Sequence, residues 1–174
     1  MISSVGKKQG FTLLELLVVI VILSVSATLV APYFRGFFSG YQLDDTACRL
    51  LSVVRYAASR SSIEGLKYRL EYNMANNTCQ LTCESNPLSE PGNFKNLGNP
   101  WGKEIILPQE VQISEVSMGD KVYQKENIGI IFYSGRLEEN VLIILENKEG
   151  DKRQVFIRGF TGTAKILPRE SSTQ

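Results

Sequence analysis

The sequence predicts an α+β fold in which one long N-terminal helix packs on an antiparallel β-sheet. Two observations predict it. Before Gly65 the apolar residues recur at three- and four-residue spacing, the period of a helix, and from Leu66 onward they alternate with polar residues, the period of a half-buried strand. The length of 174 residues leaves room for one anchor helix and one domain of ordinary size.

The helix is expected to begin in a membrane-length apolar run, GFTLLELLVVIVILSVSATLVAP (10–32). A helix that spans a bilayer needs roughly 20 apolar residues, and residues 11–31 supply that length. Glu15 is the one charged residue between Lys8 and Arg35. An acidic side chain in mid-bilayer costs on the order of 2.5–3.5 kcal/mol on insertion scales, so Glu15 is expected to have a function and to need a positive partner.

Two simpler interpretations of this run are available. A secretory signal peptide has a shorter apolar region of about 7–15 residues, and it does not carry an acid at its start. A plain single-pass anchor explains the length of the run, and Lys7 and Lys8 would hold its N-terminus on the cytoplasmic side. A plain anchor leaves Glu15 unexplained.

Residues 32–65 are predicted to continue the helix as an amphipathic segment. Its stripe of apolar and small residues consists of Leu43, Ala47, Leu50, Val54, Ala57 and Ser61. Such a stripe is typical of a helix that lies on an apolar surface. Gly65 is expected to end the helix, since glycine is favoured just past a helix C-terminus.

Residues 66–174 are predicted to form the β-sheet domain. Alternating residues predict strands at 66–72, 78–82, 105–107, 111–116, 128–133, 141–146, 154–158 and 164–167, with turn signals between them. Residues 84–100 are rich in Ser, Asn, Pro and Gly and are predicted to be a loop.

Composition argues against an enzyme and against a nucleic-acid binder. The chain has no histidine and no paired-acid or glycine-loop motif, so Ser-His-Asp and Cys-His catalysis are not expected. The 19 Lys and Arg against 18 Asp and Glu give a net charge of +1, and loss of Lys7 and Lys8 would give −1. Nucleic-acid binders usually carry a strong basic excess. Neither a zinc ligand set nor an acidic calcium loop is present in the sequence, so no metal or other cofactor is expected.

Cys79 and Cys83 leave two alternatives open. If the chain after residue 31 lies outside the cytoplasm, a disulfide can persist there. Residues four apart in a straight strand are about 13 Å distant, so a bridge between Cys79 and Cys83 requires a turn or a bulge. The alternative is a strand with two free thiols. Cys48 lies at an apolar helical spacing and is predicted to pack in the core.

The N-terminal residues resemble those of type IV pilins and type II secretion pseudopilins. The resemblance is carried by a basic leader that ends Lys7-Lys8-Gln9-Gly10, followed by Phe11-Thr12-Leu13-Leu14-Glu15 and the apolar run. It implies a leader, residues 1–10, that a prepilin peptidase removes by cutting after Gly10, and N-methylation of Phe11. It also implies that Glu15 neutralises the amine of a neighbouring subunit. Two unit charges about 4 Å apart attract by about 4 kcal/mol at an effective dielectric near 20, which offsets the cost of burying the carboxylate.

Four downstream segments narrow this resemblance to the general secretion pathway protein H and FimT group of minor pseudopilins and pilins. They are residues 50–58, 107–111, 131–136 and 159–162. The resemblance implies a minor pseudopilin of a type II secretion system, a single-pass inner-membrane protein with a periplasmic domain. Its implied partners are other pseudopilins, the prepilin peptidase, the inner-membrane assembly platform and membrane lipid, and no nucleic acid. The alternative is a minor type IV pilin that acts in pilus assembly, adhesion or DNA uptake.

Overall fold

The structure is a computed structural model that describes residues 11–73, 75–124 and 126–168, without the side chains of 30–37. The chain divides into two compact units, Met1–Phe38 and Ser39–Gln174. Among the described residues, no helix has the combined length and hydropathy needed to cross a membrane. The leader predicted at 1–10 lies outside the described residues, and the membrane span predicted at 11–31 stays a prediction.

The helix α1 is assigned to Leu13–Glu64. In the second unit its stripe is buried as the spacing predicts, with Leu43, Ala47, Val54 and Ala57 fully inaccessible. The helix ends where glycine predicts. Gly65 has a φ of +66°, and its backbone N–H donates to the carbonyl of Ser61 at 3.1 Å. This is the left-handed C-terminal cap in which glycine avoids the steric penalty of a Cβ atom.

Among the described residues, ten strands and a short 3-10 helix follow α1. The strands are β1 (Tyr68–Asn73), β2 (Thr78–Asn86), β3 (Glu90–Asn96), β4 (Ile105–Ile106), β5 (Val111–Met118), β6 (Lys121–Tyr123), β7 (Ile128–Phe132), β8 (Val141–Asn147), β9 (Lys152–Ile157) and β10 (Ala164–Ile166), and the 3-10 helix is Pro100–Gly102. They form two antiparallel sheets. The first has the order β3-β2-β1-β7 with β4 also paired to β2, and the second has the order β10-β9-β8-β5-β6.

The core of the second unit is one cluster of buried side chains from α1 and from both sheets. The strand burial patterns alternate as predicted. In β8, Val141, Ile143 and Leu145 are at most 1% exposed, while the residues between them are half-buried. A single inward face on each sheet is what allows α1 to bury its stripe.

Two polar contacts and one aromatic contact join α1 to the rest of the second unit. Ser61 is fully buried, and its hydroxyl donates to the carbonyl of Ala58 at 3.0 Å while accepting from the Gly135 N–H at 3.0 Å. Tyr56 of α1 stacks on Trp101 with ring centroids 4.6 Å apart. The guanidinium of Arg153 in β9 pairs with the carboxylate of Asp44.

Two glycine-containing turns approach each other closely beside Ser61. A Cβ atom added to Gly162 would lie 1.9 Å from the carbonyl oxygen of Gly135. Both glycines also have positive φ, +76° at Gly135 and +62° at Gly162. Side chains are therefore excluded from this contact for steric and conformational reasons.

The prediction of a loop at 84–100 is wrong. β2 continues to Asn86, and β3 occupies Glu90–Asn96. β3 carries no alternating apolar pattern, and its residues are exposed except Phe94. It pairs through its backbone with the outer edge of β2, in a register that shifts between Glu84 and Asn86. Pairing with an edge strand needs backbone groups and not side-chain alternation, so the sequence pattern did not predict it.

Candidate processing and assembly site

The residues of the N-terminal motif surround the first turn of α1. Phe11 and Thr12 precede the helix, and Phe11 is 78% exposed. The hydroxyl oxygen of Thr12 accepts a hydrogen bond from the backbone N–H of Glu15 at 3.2 Å, and the Thr12 carbonyl accepts from Leu16 N–H at 3.2 Å. Thr12 is therefore the N-cap of α1. Gly10, the predicted cleavage residue, lies outside the described residues.

Glu15 lies in the first turn of the helix and is exposed. Within the described part of the chain, its carboxylate has no ion-pair partner. The positive end of the helix dipole favours a carboxylate here by about 0.3–1 kcal/mol, which is less than the cost of placing a charge in an apolar phase. The position can therefore accept a cation supplied from outside the chain.

The helix surface that follows Glu15 is apolar and uncovered. The large residues from Leu16 to Leu29 are 42–68% exposed. The hydroxyls of Ser24, Ser26 and Thr28 donate to carbonyls three or four residues earlier, at 2.7–2.8 Å. Because their donors are satisfied inside the helix, these residues do not require water, and the surface suits an apolar environment or other helices.

Cys79 and Cys83 are free thiols in the structure. They lie in β2, whose pairing with β1 is unshifted from Thr78 to Cys83. The turn or bulge that a disulfide requires is therefore not present between them, and of the two alternatives the structure has the free thiols. Burial raises the pKa of Cys79 to about 12 and also raises the pKa of Cys83.

Cys48 is exposed on α1, so the prediction that it packs in the core is wrong. Its neighbour Ala47 is fully buried. Cys48 lies one residue beyond the buried stripe, and one residue rotates a helical position by about 100°, which turns its side chain away from the core. In the described ranges, no group of three or more Cys, Asp and Glu side chains is arranged to hold a metal ion.

A groove that the sequence did not predict lies between the two sheets. Its volume is about 700 Å³, and it is lined by residues of β6 and β7, the last strands of their sheets, and of the loop after β7. Its exposed apolar residues include Ile131 at 45% and Tyr133 at 56%. Lys67, Lys121 and Arg136 contribute positive charge, and Glu138 and Glu139 contribute negative charge. The groove exists because the strands form two sheets, whereas the sequence pattern predicted strands without assigning them to sheets.

Comparison with known proteins gives two similarities. Residues 6–31 match the family model for the prokaryotic N-terminal methylation motif. The domain is similar to two solved structures of the minor pseudopilin EpsH from the type 2 secretion system of Vibrio cholerae. The first covers 75% of this chain and 99% of EpsH, with a TM-score of 0.61 and 11% identity, and the second covers 75% and 96%, with a TM-score of 0.60 and 12% identity.

The fold is pilin-like. A helix followed by antiparallel sheets, with a methylation motif at the start of the helix, is the arrangement that the sequence predicted for a pilin-like protein. A search of curated protein sequences finds no match. The pilin-like assignment therefore depends on the N-terminal motif and on the fold.

Proposed function

We propose that this chain is a minor pseudopilin, a structural subunit of a type II secretion pseudopilus that helps to export proteins across the outer membrane. The observation that carries the proposal is the combination of a methylation motif at residues 6–31 with a downstream domain whose fold is similar to that of a minor pseudopilin. The role is structural and not enzymatic. The two solved structures with a similar fold are of a minor pseudopilin, and the sequence of this chain has no histidine.

In this proposal the chain is an inner-membrane protein that residues 11–31 anchor, and its C-terminal domain lies in the periplasm. A prepilin peptidase removes residues 1–10 and leaves Phe11 as the methylated N-terminus. The exposed apolar surface from Leu16 to Leu29 supports an environment of lipid and neighbouring helices. Other pseudopilins and the inner-membrane assembly platform are the proposed protein partners.

Glu15 is proposed to pair with the amine of Phe11 in a neighbouring subunit. The carboxylate is exposed, lacks an ion-pair partner among the described residues, and stands in a segment with no other charge. Once this surface is covered by apolar groups, an unpaired carboxylate is costly, and a cation from the next subunit removes that cost.

The experiment that tests the proposal is an intact-mass measurement of protein extracted from membranes. We expect the mass of residues 11–174 plus one methyl group. A chain that still begins at Met1, or one that is cut near residue 27 or 31, would contradict the proposal. Deletion of the gene tests the function in cells. Loss of secreted enzymes while twitching and transformation stay intact would support the pseudopilin.

A minor type IV pilin is the second candidate, because the N-terminal residues resemble type IV pilins as closely as pseudopilins. A pilin that takes up DNA should bind it with a steep salt dependence. The processed chain would carry 17 Lys and Arg against 18 Asp and Glu, from 19 minus the two leader lysines, so its charge is −1. We therefore expect binding to DNA weaker than about 10⁻⁴ M at physiological salt.

A further inference from the structure

The groove between the two sheets contains a strand edge whose backbone direction can be assigned. β7 is the last strand of the first sheet, and it pairs with β1 on one side. The Glu84 N–H donates to the Lys67 carbonyl at 2.8 Å, so Lys67 directs its backbone groups toward β2. This direction alternates along an antiparallel strand, so Tyr68, Leu70 and Tyr72 direct their backbone groups toward β7.

The register between β1 and β7 then identifies the free backbone groups. The three residues of β1 lie opposite Phe132, Ile130 and Ile128, whose backbone groups therefore point toward β1. Gly129 and Ile131 direct their N–H and carbonyl groups to the other side, and both residues line the groove. Among the described residues, no backbone group pairs with them on that side.

The next residue in this alternation shows that the outer side of β7 can pair. Tyr133 forms an antiparallel bridge with Arg136, in which the Tyr133 N–H donates to the Arg136 carbonyl at 2.9 Å and the Arg136 N–H donates back at 3.0 Å. The bridge stops there, and the edge continues unpaired at Ile131 and Gly129.

The other strands at the ends of the two sheets carry features that prevent pairing with a further strand. β3 contains Pro91 and Lys95, and β6 and β10 have only three residues each, with Lys121 and Lys165 among them. β7 has five residues, none of which is charged or proline. An apolar edge without such protection is a template for pairing with another chain. Of the four end strands in the described part of the chain, β7 alone has such an edge.

The groove has room for one extended segment. A strand residue occupies roughly 160 Å³, from a rise of about 3.3 Å, a strand separation of about 4.8 Å and a sheet separation of about 10 Å. The groove volume of about 700 Å³ therefore corresponds to roughly four or five residues, and β7 has five. Because β6 lines the groove as well, a single strand fits there better than the edge of a second folded domain.

The charges of the groove are divided between its walls. Lys67 precedes the residue opposite Phe132, and Arg136 pairs with Tyr133, so both cations lie at the C-terminal end of β7. Arg136 lies 5.5 Å from the centroid of the Phe160 ring, and within the described ranges neither cation forms an ion pair. The acids of the groove are Glu138 and Glu139, and Glu139 lies beside Gly119 in the turn between β5 and β6, where Lys121 follows.

We propose that the groove binds an extended segment of another protein, which pairs with Gly129 and Ile131 as an added antiparallel strand. The antiparallel direction is that of the bridge at Tyr133 and of the other strand pairs in both sheets. It places the N-terminal end of the segment beside Lys67 and Arg136, so an acidic residue belongs there. This mode of recognition takes its affinity from backbone hydrogen bonds and its specificity from alternate side chains.

The test uses the full chain in detergent micelles and a synthetic peptide, acetyl-Asp-Glu-Val-Thr-Val-Thr-Val-amide. We expect saturable binding with a Kd of about 1 mM or tighter, with slower hydrogen exchange of the Gly129 and Ile131 amides measured by NMR. A peptide with Lys-Lys in place of Asp-Glu is the matched probe and should bind about tenfold more weakly. No binding of the acidic peptide at about 1 mM would overturn the proposal.

Ile131→Pro tests the backbone pairing. It removes an N–H that points away from β1, so the bonds between β1 and β7 are kept. We expect it to weaken binding of the acidic peptide about fivefold, as for one lost hydrogen bond. Ile131→Ala keeps the N–H and truncates the side chain, and it should bind more tightly than the proline variant. Equal binding by the two variants would overturn the strand pairing.

Reversal of charge tests the groove without changing β7. Lys67→Glu with Arg136→Glu should weaken binding of the acidic peptide about tenfold and strengthen binding of the Lys-Lys peptide. The control is Lys95→Glu with Lys165→Glu, which changes the net charge equally at two exposed lysines of β3 and β10. Equal loss of binding in the two double variants would contradict a charge contact in the groove.

A second copy of this chain is the occupant that the same samples can reveal. If the chain forms dimers that exclude the peptide and that Ile131→Pro dissociates, the groove binds another copy and the proposal is wrong. These outcomes leave the proposed function untouched, because that is tested by the mass of the processed chain and by deletion of the gene.

Discussion

Arg153 is a charged side chain that the second unit buries, and Asp44 of α1 compensates its charge. The Arg153 side chain is 9% exposed and Asp44 is 46% exposed. We expect Asp44→Asn to lower the free energy of unfolding of a 39–174 fragment by about 1–3 kcal/mol, less than for a fully buried pair because Asp44 is half in water. Urea unfolding measures the loss.

Asp45→Asn is the matched control, on the next residue of the same helix. Its partner Arg49 is 68% exposed, and the pair lies on the surface. Surface pairs contribute about 0–1 kcal/mol, so this variant should unfold close to the wild type. Equal losses in the two variants would contradict the role given to the pair of Asp44 and Arg153.

Cys79 makes stability depend on alkaline pH. Its pKa is raised by burial from an ordinary 9.0 to about 12. Between these values the unfolded chain releases a proton that the folded chain keeps, so the free energy of unfolding falls as pH rises from about 9 to about 12. Tyr68 and Tyr72, whose pKa values burial also raises, add to this fall.

We expect Cys79→Ala to make the free energy of unfolding decline less steeply with pH above 9, whatever the variant does to stability at neutral pH. Chemical denaturation at a series of pH values gives the slope. Cys48→Ala, at an exposed thiol, is the control and should keep the wild-type slope. An unchanged slope in Cys79→Ala would show that the buried Cys79 thiol does not cause the decline of the free energy of unfolding with pH.

At the level of elements, strands with an alternating buried face were predictable, and strands without one were not. β7 and β8 alternate buried and more exposed residues along their length, so their positions follow from side-chain pattern. β3 and the three-residue β6 have no such alternation. They form because neighbouring strands offer unpaired backbone groups. The side-chain pattern of β3 or β6 itself does not indicate this pairing.

β3 is anchored by Phe94. Arg69 of β1 lies over its ring at 4.0 Å from the centroid, and Glu84 beside it is 2% exposed and accepts from the Gly92 N–H at 2.8 Å. We expect Phe94→Ala to lower the free energy of unfolding by about 1–2 kcal/mol, through the lost cation–π contact and lost apolar burial. Amide hydrogen exchange should show β3 opening faster while β8 is unchanged.

Leu88→Ala is the control within the same hairpin. Leu88 is 97% exposed between β2 and β3, so its removal should change neither stability nor exchange. If Phe94→Ala and Leu88→Ala raise amide exchange in the hairpin equally, a residue other than Phe94 anchors β3.

For the whole molecule, the N-terminal methylation motif could be predicted because a short, ordered set of residues carries it. Phe11 and Glu15 are found at the start of α1 as the sequence predicted. The inter-sheet groove was not predictable, because β6 and β7, which line it, follow each other in the chain but join different sheets. Local periodicity gives the elements but not which sheet each one joins.

Glu15→Leu is expected to separate membrane insertion from assembly. The variant is more apolar, so insertion should be equal or better, while incorporation into the filament should fall about tenfold or more because the proposed trans ion pair is lost. Cross-linking of subunits in cells measures incorporation. Glu15→Asp, which keeps the charge, is the control, and full incorporation of Glu15→Leu would remove the pairing role.

The second unit is expected to be a monomer when it is produced alone. It buries the amphipathic stripe of α1 in its own core, and most of the large exposed apolar residues among those the structure describes lie at 11–29. Sedimentation of a 39–174 fragment should give one mass. Stable dimers at micromolar concentration would show that a substantial interface lies outside the first unit.

The path of the chain between the two sheets has a consequence for how the domain forms during synthesis. β1 to β4 belong to the first sheet, β5 and β6 to the second, β7 returns to the first, and β8 to β10 complete the second. The first sheet is therefore incomplete until the chain has been synthesised to Phe132, the end of β7. One edge of β5 stays unpaired until β8 has formed. Because neither sheet is finished before the other has begun, unfolding of the unit should be one cooperative transition, and a chain that stops before Val141 would carry an unpaired edge that proteases and aggregation can reach.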